Sequence, residues 1–350
     1  MNSDQPDLPV QAARTASSTG TMMAIIRDAY GEADVLRCKE IDKPEIGPGS
    51  VLVRVEAAGV DRGVWHIMAG LPYPIRLAGY GMRTPQDGRL GSDVAGVVEA
   101  VGKDVTTLKP GDEVFGSGDG SFAEYVSCRE DQLASKPDRL TFEQAAAVPV
   151  SAVTALQALR DHGRVQPGQK VLIIGASGGV GSFAVQIAKA FGVEVTGACS
   201  TAKVDVVGSI GADHVIDYTR SDVTDGGQRF DVIIDTGGNT SLSRLRRALT
   251  PRGTLVIVGG ETGGRWLGGT DRQLRALMIS PFVGQKLGSF IGSVNKKDLM
   301  SLTELIESGQ VTPVIDRTYP LSEVPSAIQY LKEGKARGKV VISVRDTGHA

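Results

Sequence analysis

The sequence has only three cysteines, Cys38, Cys128 and Cys199, and they lie far apart in a chain of 350 residues. Their odd number and wide separation argue against a disulfide framework and against a cysteine-rich zinc site. The pattern predicts reduced thiols in the cytoplasm. The sequence also has no apolar run long enough to cross a bilayer, so no membrane association is expected.

The chain has no excess of positive charge, because 38 Lys and Arg residues face 40 Asp and Glu residues and leave a net charge of −2. It therefore has no electrostatic attraction to nucleic acid or anionic lipid. Residues 1–21 are rich in Ser, Ala, Thr and Gln and lack the apolar segment of a secretory signal. We expect a disordered leader there, and Arg14 alone gives little support for organelle targeting.

What the sequence does have is a strand, a glycine-rich turn and a helix in succession. The apolar run Val171–Ile174 is typical of a strand buried on both faces, and apolar residues recur at helical spacing after Gly179. The turn between them has the pattern Ala-x-Gly-x-x-Gly, in which glycine lets a pyrophosphate approach the N–H groups at a helix N-terminus. An ordinary glycine-rich turn is the alternative. The residues that we predict to bind a dinucleotide here are Ala176, Ser177, Gly178, Gly179, Val180 and Gly181.

The chain around this stretch changes character twice. Before residue 140, short strands alternate with Gly/Pro turns, which favours a β-barrel-like domain; one such strand is predicted at 122–126. Thr141 is a predicted helix N-cap with Gln144 as its capping-box partner. Helices and strands then alternate, as in a doubly wound α/β domain. A helix predicted at 242–249 is followed by a strand at 253–258, and the chain ends in further strands.

Three ordered motifs carry a family resemblance: the turn at 176–181, Gly208–Tyr218, and Gly334–Val341. With them the chain resembles a zinc-free medium-chain dehydrogenase/reductase, of the NADPH:quinone oxidoreductase and enone reductase type, over about residues 22–345. The resemblance implies an α/β protein with two domains. A GroES-like β-barrel-type catalytic domain (22–146 and 312–350) would enclose a doubly wound Rossmann domain (147–311), with the cofactor in the cleft between them.

The end of the second Rossmann strand indicates the cofactor. NAD-binding proteins place a carboxylate there to bind the ribose 2′-OH, whereas a 2′-phosphate needs cations and hydroxyls. Here Ser200 and Lys203 follow the strand and no carboxylate does. By resemblance, Tyr218 would also meet the phosphate, and we predict NADPH. Alternatively, Ser200 caps the next helix and Lys203 is solvated.

The resemblance also implies where a catalytic zinc would be held in zinc-dependent relatives. Asp61, Ser92 and Val150 stand at those places. Valine cannot bind a metal and serine is a poor zinc ligand, so we predict no metal site. A weak substitute site built from Asp61, His66 and Asp93 is the alternative.

Without a Lewis acid, a site cannot readily polarise an unactivated alcohol or ketone. Quinones and α,β-unsaturated carbonyls spread the arriving charge themselves, and N–H groups, hydroxyls or water can stabilise the resulting anion. We therefore predict an NADPH-dependent oxidoreductase that delivers hydride to such a small-molecule acceptor. Two alternatives stay open: an alcohol dehydrogenase acting through Asp61 and His66, and a non-catalytic NADPH-binding sensor.

Three residues are candidates for the chemistry. Asp61 would orient the carboxamide or the substrate, unless it only forms a local Asx turn or pairs with Arg62. His66 would donate a proton, although a lone histidine is commonly structural. Tyr73 would line the substrate mouth together with Trp65, where aromatic walls suit a flat acceptor.

The remaining candidates bind the cofactor or join domains. By resemblance, Thr154 meets the nicotinamide, although a buried helical threonine can bond its own backbone. Gly237 and Gly259 (followed by Gly260) come at carboxyl ends of strands, where such sheets bind ligands. Lys339 would pair with Asp93 near the pyrophosphate and bridge the domains; two independent surface charges are the alternative.

Two further segments suggest contacts. The glycine-rich stretch 263–269 could cover the acceptor, with Trp266 stacked on it. Residues 287–291 could form an edge strand that pairs across a homodimer.

Overall fold

The computed structural model has two domains. Both ends of the chain form a mostly antiparallel β domain, and the middle of the chain forms an α/β domain with a parallel sheet. The structure describes residues 20–224, 227–238, 240–259 and 264–344. Nearly all of the predicted leader lies outside these residues. Its predicted end at residue 21 is one residue too late, because the first strand already begins at Thr21.

Residues 21–146 form most of the β domain. Its elements are β1 (Thr21–Arg27), β2 (Leu36–Asp42), β3 (Ser50–Val60), α1 (Arg62–Ala69), β4 (Asp93–Val101), β5 (Glu113–Ser117), β6 (Tyr125–Arg129), β7 (Leu133–Ser135) and α2 (Phe142–Ala146). The predicted capping box at α2 is confirmed, since Thr141 and Gln144 exchange both hydrogen bonds.

The α/β domain follows, and the chain then returns to the β domain. The middle elements are α3 (Pro149–Gln157), β8 (Lys170–Ile174), α4 (Gly179–Ala190), β9 (Glu194–Cys199), α5 (Val204–Ser209), β10 (His214–Asp217), β11 (Phe230–Asp235), α6 (Leu242–Ala248), β12 (Leu249–Ile257), α7 (Gly264–Leu267), α8 (Thr270–Ile279), β13 (Lys286–Ser289) and α9 (Lys296–Glu307). The last elements are β14 (Ile315–Pro320), α10 (Val324–Lys332) and β15 (Lys339–Ser343).

The two main sheets confirm the predicted fold class. The middle sheet is parallel throughout and has the order β10-β9-β8-β11-β12-β13, the doubly wound arrangement of dinucleotide-binding proteins. Its central strand β8 is buried along Val171–Ile174, as predicted. In the β domain the order is β14-β15-β3-β4-β5-β7, with β6 on β3, so the last strand of the chain pairs with one from its beginning.

Four predicted boundaries are wrong by one to four residues. The strand predicted at 122–126 is β6, which begins at Tyr125. The preceding residues pair elsewhere, because Phe122 accepts a hydrogen bond from the N–H of Ile25 at 2.8 Å. Strand β12 begins at Leu249, four residues before the predicted start, and α6 therefore ends at Ala248. The predicted edge strand is confirmed as β13, which ends at Ser289 instead of residue 291.

Candidate functional site

The glycine-rich turn joins β8 to α4 and leaves the start of that helix open. Gly175 has a φ of +80° and makes the sharp turn after β8, a role that the motif had not assigned to it. A Cβ on Gly181 would overlap the carbonyl oxygen of Gly175 and lie 2.8 Å from Ala176 Cα, so only glycine lets α4 pack this closely on the turn. A Cβ on Gly178 would meet nothing nearer than 3.3 Å.

These contacts fit a dinucleotide pyrophosphate at the start of α4. The first N–H groups of a helix have no acceptor within it, and the helix dipole favours negative charge there. Gly178 is the N-cap and Gly179 the first helical residue. Within the turn, Ala176 and Ser177 are buried, and Val180, in the first turn of the helix, is half-buried.

The predicted pair of Asp93 and Lys339 is present and buried. Lys339 Nζ lies 2.9 Å from Asp93 Oδ2 and donates to Ser151 Oγ at 3.2 Å. The other carboxylate oxygen of Asp93 accepts from the N–H of Val150 at 2.7 Å. Both charged residues belong to the β domain, so the pair by itself does not bridge the domains. Its bonds to Ser151 and Val150, at the start of α3, make the bridge.

Burial governs the electrostatics of this pair. It raises the pKa of Asp93, and the ammonium of Lys339 opposes that rise. Asp61 is close enough to raise the pKa further. The side chain of Lys339 also borders the glycine-rich turn, because a Cβ on Gly179 would lie 3.1 Å from its Cδ.

Asp61 has two differently placed oxygens. It is the N-cap of α1, where Oδ1 accepts from the N–H of Val64 at 3.2 Å, so the Asx-turn alternative describes this oxygen. Oδ2 is buried and has no hydrogen-bond partner among the residues that the structure describes. Such an acceptor is costly to leave unsatisfied, and it marks a place where a bound group can donate.

His66 lies one turn further along α1. Its Nδ1 is 2.9 Å from the carbonyl oxygen of Leu71. A carbonyl only accepts, so Nδ1 carries the hydrogen, and Nε2 of the neutral ring carries none. The ring also meets Trp65 edge to face, with 4.9 Å between centroids.

Tyr73 touches the α/β domain across the cleft. Its N–H donates to the carbonyl of Arg265 at 2.9 Å, and its ring meets Trp266 edge to face at 5.1 Å between centroids. Trp266 is nevertheless 74% exposed. Tyr73 thus meets Trp266, while Trp65, its predicted partner at the mouth, contacts His66. Gly260 and Gly263, from the two predicted glycine segments, lie outside the described residues.

The residues predicted to bind a 2′-phosphate follow the ends of the neighbouring strands β9 and β10. Lys203 is not simply solvated, because its Nζ donates to the carbonyls of Gly334 at 2.8 Å and Ala336 at 2.7 Å. Burial lowers the pKa of Lys203. The side chain of Ser200 forms no capping hydrogen bond to the turn 201–203. Tyr218 is exposed, and its N–H donates to the carbonyl of Cys199 at 3.0 Å.

The carboxyl ends of β11 and β12 are organised by a buried ion pair that the sequence reasoning missed. Arg272 Nη1 lies 2.6 Å from Asp235 Oδ2, and Nη2 donates to the carbonyl of Gly259 at 3.3 Å. Asp235 Oδ1 accepts from the N–H groups of Gly237 and Gly238. The predicted Gly237 and Gly259 are therefore held by the same pair. No local signal could have found it, because Arg272 lies on α8.

Thr154 is buried in α3 and packs against Gly292, in the segment between β13 and α9. A Cβ on Gly292 would overlap its Oγ1, so the hydroxyl packs closely against that backbone. Ser92 stands where the resemblance puts a zinc ligand in zinc-dependent relatives. It lines a cavity of about 310 Å³ that Val64, Ile67 and Tyr80 also border.

Over the described ranges, no three His, Cys, Asp or Glu side chains are grouped so as to hold a metal ion. All three cysteines are free thiols, with Cys38 exposed and the other two buried. None of the helices in the part of the chain that the structure covers has the length and apolarity of a membrane span.

Comparisons with known proteins give one consistent result. An alcohol dehydrogenase GroES-like domain model matches residues 47–138, and a zinc-binding dehydrogenase model matches residues 210–342. The second match includes none of the three places at which the resemblance puts zinc ligands.

Individual relatives extend over almost the whole chain. The chain is 34% identical to the mitochondrial NAD(P)H oxidoreductase RTN4IP1 of Mus musculus, over 97% of this chain and 93% of that protein. It is 33% identical to the 2-methylene-furan-3-one reductase of Solanum lycopersicum, over 95% and 83%. The quinone oxidoreductase structure from Coxiella burnetii matches with a TM-score of 0.82 and 28% identity, over 93% of this chain and all of that one.

Proposed function

Since the chain belongs to the medium-chain dehydrogenase/reductase family of nicotinamide-dependent oxidoreductases, we propose that it uses NADPH to reduce a quinone or an α,β-unsaturated carbonyl without zinc. Relatives with both acceptor classes in their names support the choice of substrate.

The observation that carries the zinc-free proposal is the engagement of Asp93. Both of its oxygens are occupied, one by Lys339 and the other by the N–H of Val150. The side chain of Val150 has no atom that can coordinate a metal, and one carboxylate oxygen of Asp61 accepts the capping hydrogen bond of α1. Asp93 is therefore engaged in the ion pair, and at the ligand places Val150 offers no ligand atom and Asp61 only its Oδ2. Such a site favours an acceptor that itself delocalises the negative charge arriving with the hydride.

The residues around the cleft have separable tasks. A bound NADPH supplies the hydride, and the protein aligns it with the acceptor. The open start of α4 would hold the pyrophosphate, with Lys339 beside Gly179. Asp61 Oδ2 and the hydroxyl of Thr154 would orient the nicotinamide. Tyr73 and Trp266 would hold a flat acceptor.

His66 can protonate the reduced acceptor only if its ring carries a hydrogen on the nitrogen that faces away from Leu71. Its Nδ1 hydrogen is directed at the carbonyl of Leu71, so the ring can give up a proton from Nε2 only as the imidazolium. We propose His66 as donor in that state, with water as the alternative source.

We base the choice of NADPH on Ser200, Lys203 and Tyr218, which follow the ends of the neighbouring strands β9 and β10, with no carboxylate directly after β9. We also propose a cytoplasmic homodimer. Strand β13 pairs with β12 on one side and has no strand on its other side in the described ranges, and exposed Phe282 and Ile291 flank it. Sedimentation of the purified protein tests the dimer.

The deciding experiment is NADPH oxidation by metal-free protein with benzoquinone, phenanthrenequinone, an alkenal and a saturated ketone, and with NADH in parallel. Turnover of the quinones or the alkenal but not the ketone supports the proposal. Ketone or alcohol turnover that depends on Asp61 and His66 favours the alcohol dehydrogenase alternative. Tight NADPH binding without turnover of any acceptor favours a sensor.

A further inference from the structure

We propose that this protein has a second ligand site, a pocket for a small phosphate-bearing anion at the amino ends of the parallel strands. A cavity of about 520 Å³ lies there, a size typical of small-molecule sites. Gln169, Asp231 and Lys286 line it, at or next to the first residues of β8, β11 and β13. The glycine-rich turn follows the opposite end of β8, and open α/β sheets normally bind ligands at that carboxyl end. The pocket and its ligand are therefore independent of the proposed function.

One wall of the cavity comes from an irregular end of α3. The helix continues into a π-helical turn, Ala158–Gly163, and such turns are rare and frequent at functional sites. Arg164 follows with φ +50° and ψ +45°, and it is the only non-glycine residue with a positive φ among those that the structure describes. An arginine in this left-handed conformation is strained, whereas a glycine is not. The turn thus holds a guanidinium at the cavity although glycine would suit the backbone better.

A second wall comes from an irregularity in β12. Phe230 pairs with Leu249 and Val232 with Thr254, so β12 advances five residues where β11 advances two. The extra residues form a bulge, and Arg252 within it lines the cavity. Bulges commonly occur beside ligand sites, where they redirect a side chain. Two separate departures from regular structure therefore each bring an arginine to the same cavity.

The cations of the cavity have donors to spare. The side chains of Arg252 and Lys286 have no hydrogen bond or ion pair within the described ranges. Arg164 Nε donates to the carbonyl of Asp161 at 3.4 Å, which leaves four of the five N–H donors of that guanidinium. Lys286 pairs in register with Thr254, whose residue also lines the cavity, so an ammonium and a hydroxyl stand on neighbouring strands.

The two carboxylates in the lining are already engaged. Asp161 forms two hydrogen bonds with Arg160, each of 2.7 Å. Asp231 accepts from the N–H of Lys170 at 3.0 Å and from the hydroxyl of Thr250 at 3.4 Å. Three cations against two engaged carboxylates leave the cavity with an excess of positive charge, which favours an anion.

The donors select the class of anion. A guanidinium presents a planar fork that matches the oxygens of a phosphate, and an ammonium adds a point charge. The Gln169 side chain adds a neutral donor, because its Oε1 accepts from the N–H of Gln166 at 2.8 Å and its amide hydrogens remain available. The size of the cavity limits the ligand to a small molecule. A small anion with a phosphate or diphosphate group fits these donors.

The test is calorimetric titration of inorganic pyrophosphate into the full chain saturated with NADPH, which keeps the glycine-rich turn occupied. We expect a dissociation constant below about 1 mM for wild type. Arg252→Gln should weaken binding at least about tenfold, the effect of losing a charge-assisted contact. Arg83→Gln, at an exposed arginine of the β domain, is the charge-matched control and should stay within about twofold of wild type. Absence of binding by wild type, or an effect of Arg252→Gln no larger than that of Arg83→Gln, overturns the inference.

Arg164 has a separate readout, because its conformation and its charge predict different effects. Arg164→Gly removes the left-handed strain and the guanidinium together. We expect a Tm no lower than that of wild type without pyrophosphate, and at least about tenfold weaker pyrophosphate binding. A lower Tm with unchanged binding would mean that Arg164 serves only the backbone turn, which overturns its place in the site. A chain that fails to bind NADPH contradicts the proposed function instead, and the same titrations without NADPH still decide the pocket.

Discussion

Lys339 Nζ and Asp93 Oδ2 lie 2.9 Å apart, and both side chains are almost fully buried where the two domains meet. The pair joins β15 to β4 and reaches α3 through Ser151 and Val150. The ion pair thus lies inside the β domain, and its hydrogen bonds with Val150 and Ser151 connect it to α3 in a place where water does not compete.

Breaking this pair should destabilise the fold. Lys339→Met leaves the carboxyl of Asp93 buried without its cation, which costs about 3–5 kcal/mol when a buried pair loses one partner. Lys39→Met is the control, because its pair with Asp28 is exposed and worth about 0.2–1 kcal/mol. Urea unfolding measures both, and equal losses would contradict the assigned role of burial. Adding Asp93→Asn to Lys339→Met should restore part of the stability.

The close approach of α4 to the turn predicts a severe effect of one methyl group. Gly181→Ala would force the helix away from Gly175 and Ala176, and we expect lower stability together with at least tenfold weaker cofactor binding. Gly208→Ala, also in a helix, meets nothing within 4 Å and should be neutral or stabilise by about 1 kcal/mol. Thermal unfolding and cofactor titration of the two variants test this contrast. Unchanged cofactor binding by Gly181→Ala would refute it.

The pair of Arg272 and Asp235 predicts a similar contrast within one helix. Arg272→Met removes the partner of a fully buried carboxylate and releases the carbonyl of Gly259, so we expect a loss of about 3–5 kcal/mol and a higher KM for the cofactor. Arg275→Met, on the same helix, breaks only a surface pair with Asp271 and should cost under about 0.5 kcal/mol. Similar losses in denaturant unfolding would count against this account.

The contact of Tyr73 with Trp266 predicts an effect on the acceptor alone. Trp266→Ala should raise the KM for a quinone several-fold and leave that for NADPH unchanged, because an aromatic pair is worth about 0.5–1.5 kcal/mol beyond its buried area. The control Phe282→Ala removes an exposed aromatic side chain at the far sheet edge. Steady-state kinetics with both substrates varied distinguishes the variants. A shift in the KM for NADPH would place Trp266 elsewhere in the mechanism.

Asp298 predicts a pH dependence of stability. Burial would raise its pKa, but hydrogen bonds from Arg160, Gln157 and Asn295 outweigh burial and lower it below the usual 3.8. A lowered pKa in the folded state stabilises the protein above the usual value, and that stability is lost as the pH falls through the folded value.

The difference in unfolding free energy between wild type and Asp298→Asn should therefore be largest near neutral pH and shrink below pH 3.8. Glu304→Gln, an exposed position on the same helix, should show no such trend. A difference that is constant across the pH range would mean that Asp298 contributes through packing rather than charge.

Local patterns in the sequence were enough to predict the change from β to α/β organisation and the strand, glycine-rich turn and helix at its centre. The apolar run 171–174, the capping box of Thr141 with Gln144 and the glycines of the turn involve residues a few positions apart, and all three have the predicted structure. Backbone conformation and short-range packing decide such features, and both are encoded in neighbouring residues.

Only the tertiary structure decided which side chains meet across the fold. Arg272 finds Asp235 over 37 positions, and Lys203 finds the carbonyl of Gly334 over 131. The strand predicted at Phe122 was displaced because its backbone pairs with β1 instead. The sequence around a charged residue does not reveal whether its side chain is solvated or buried. Its partner is determined by the order of the strands, which brings strand ends from distant parts of the chain to one edge of the sheet.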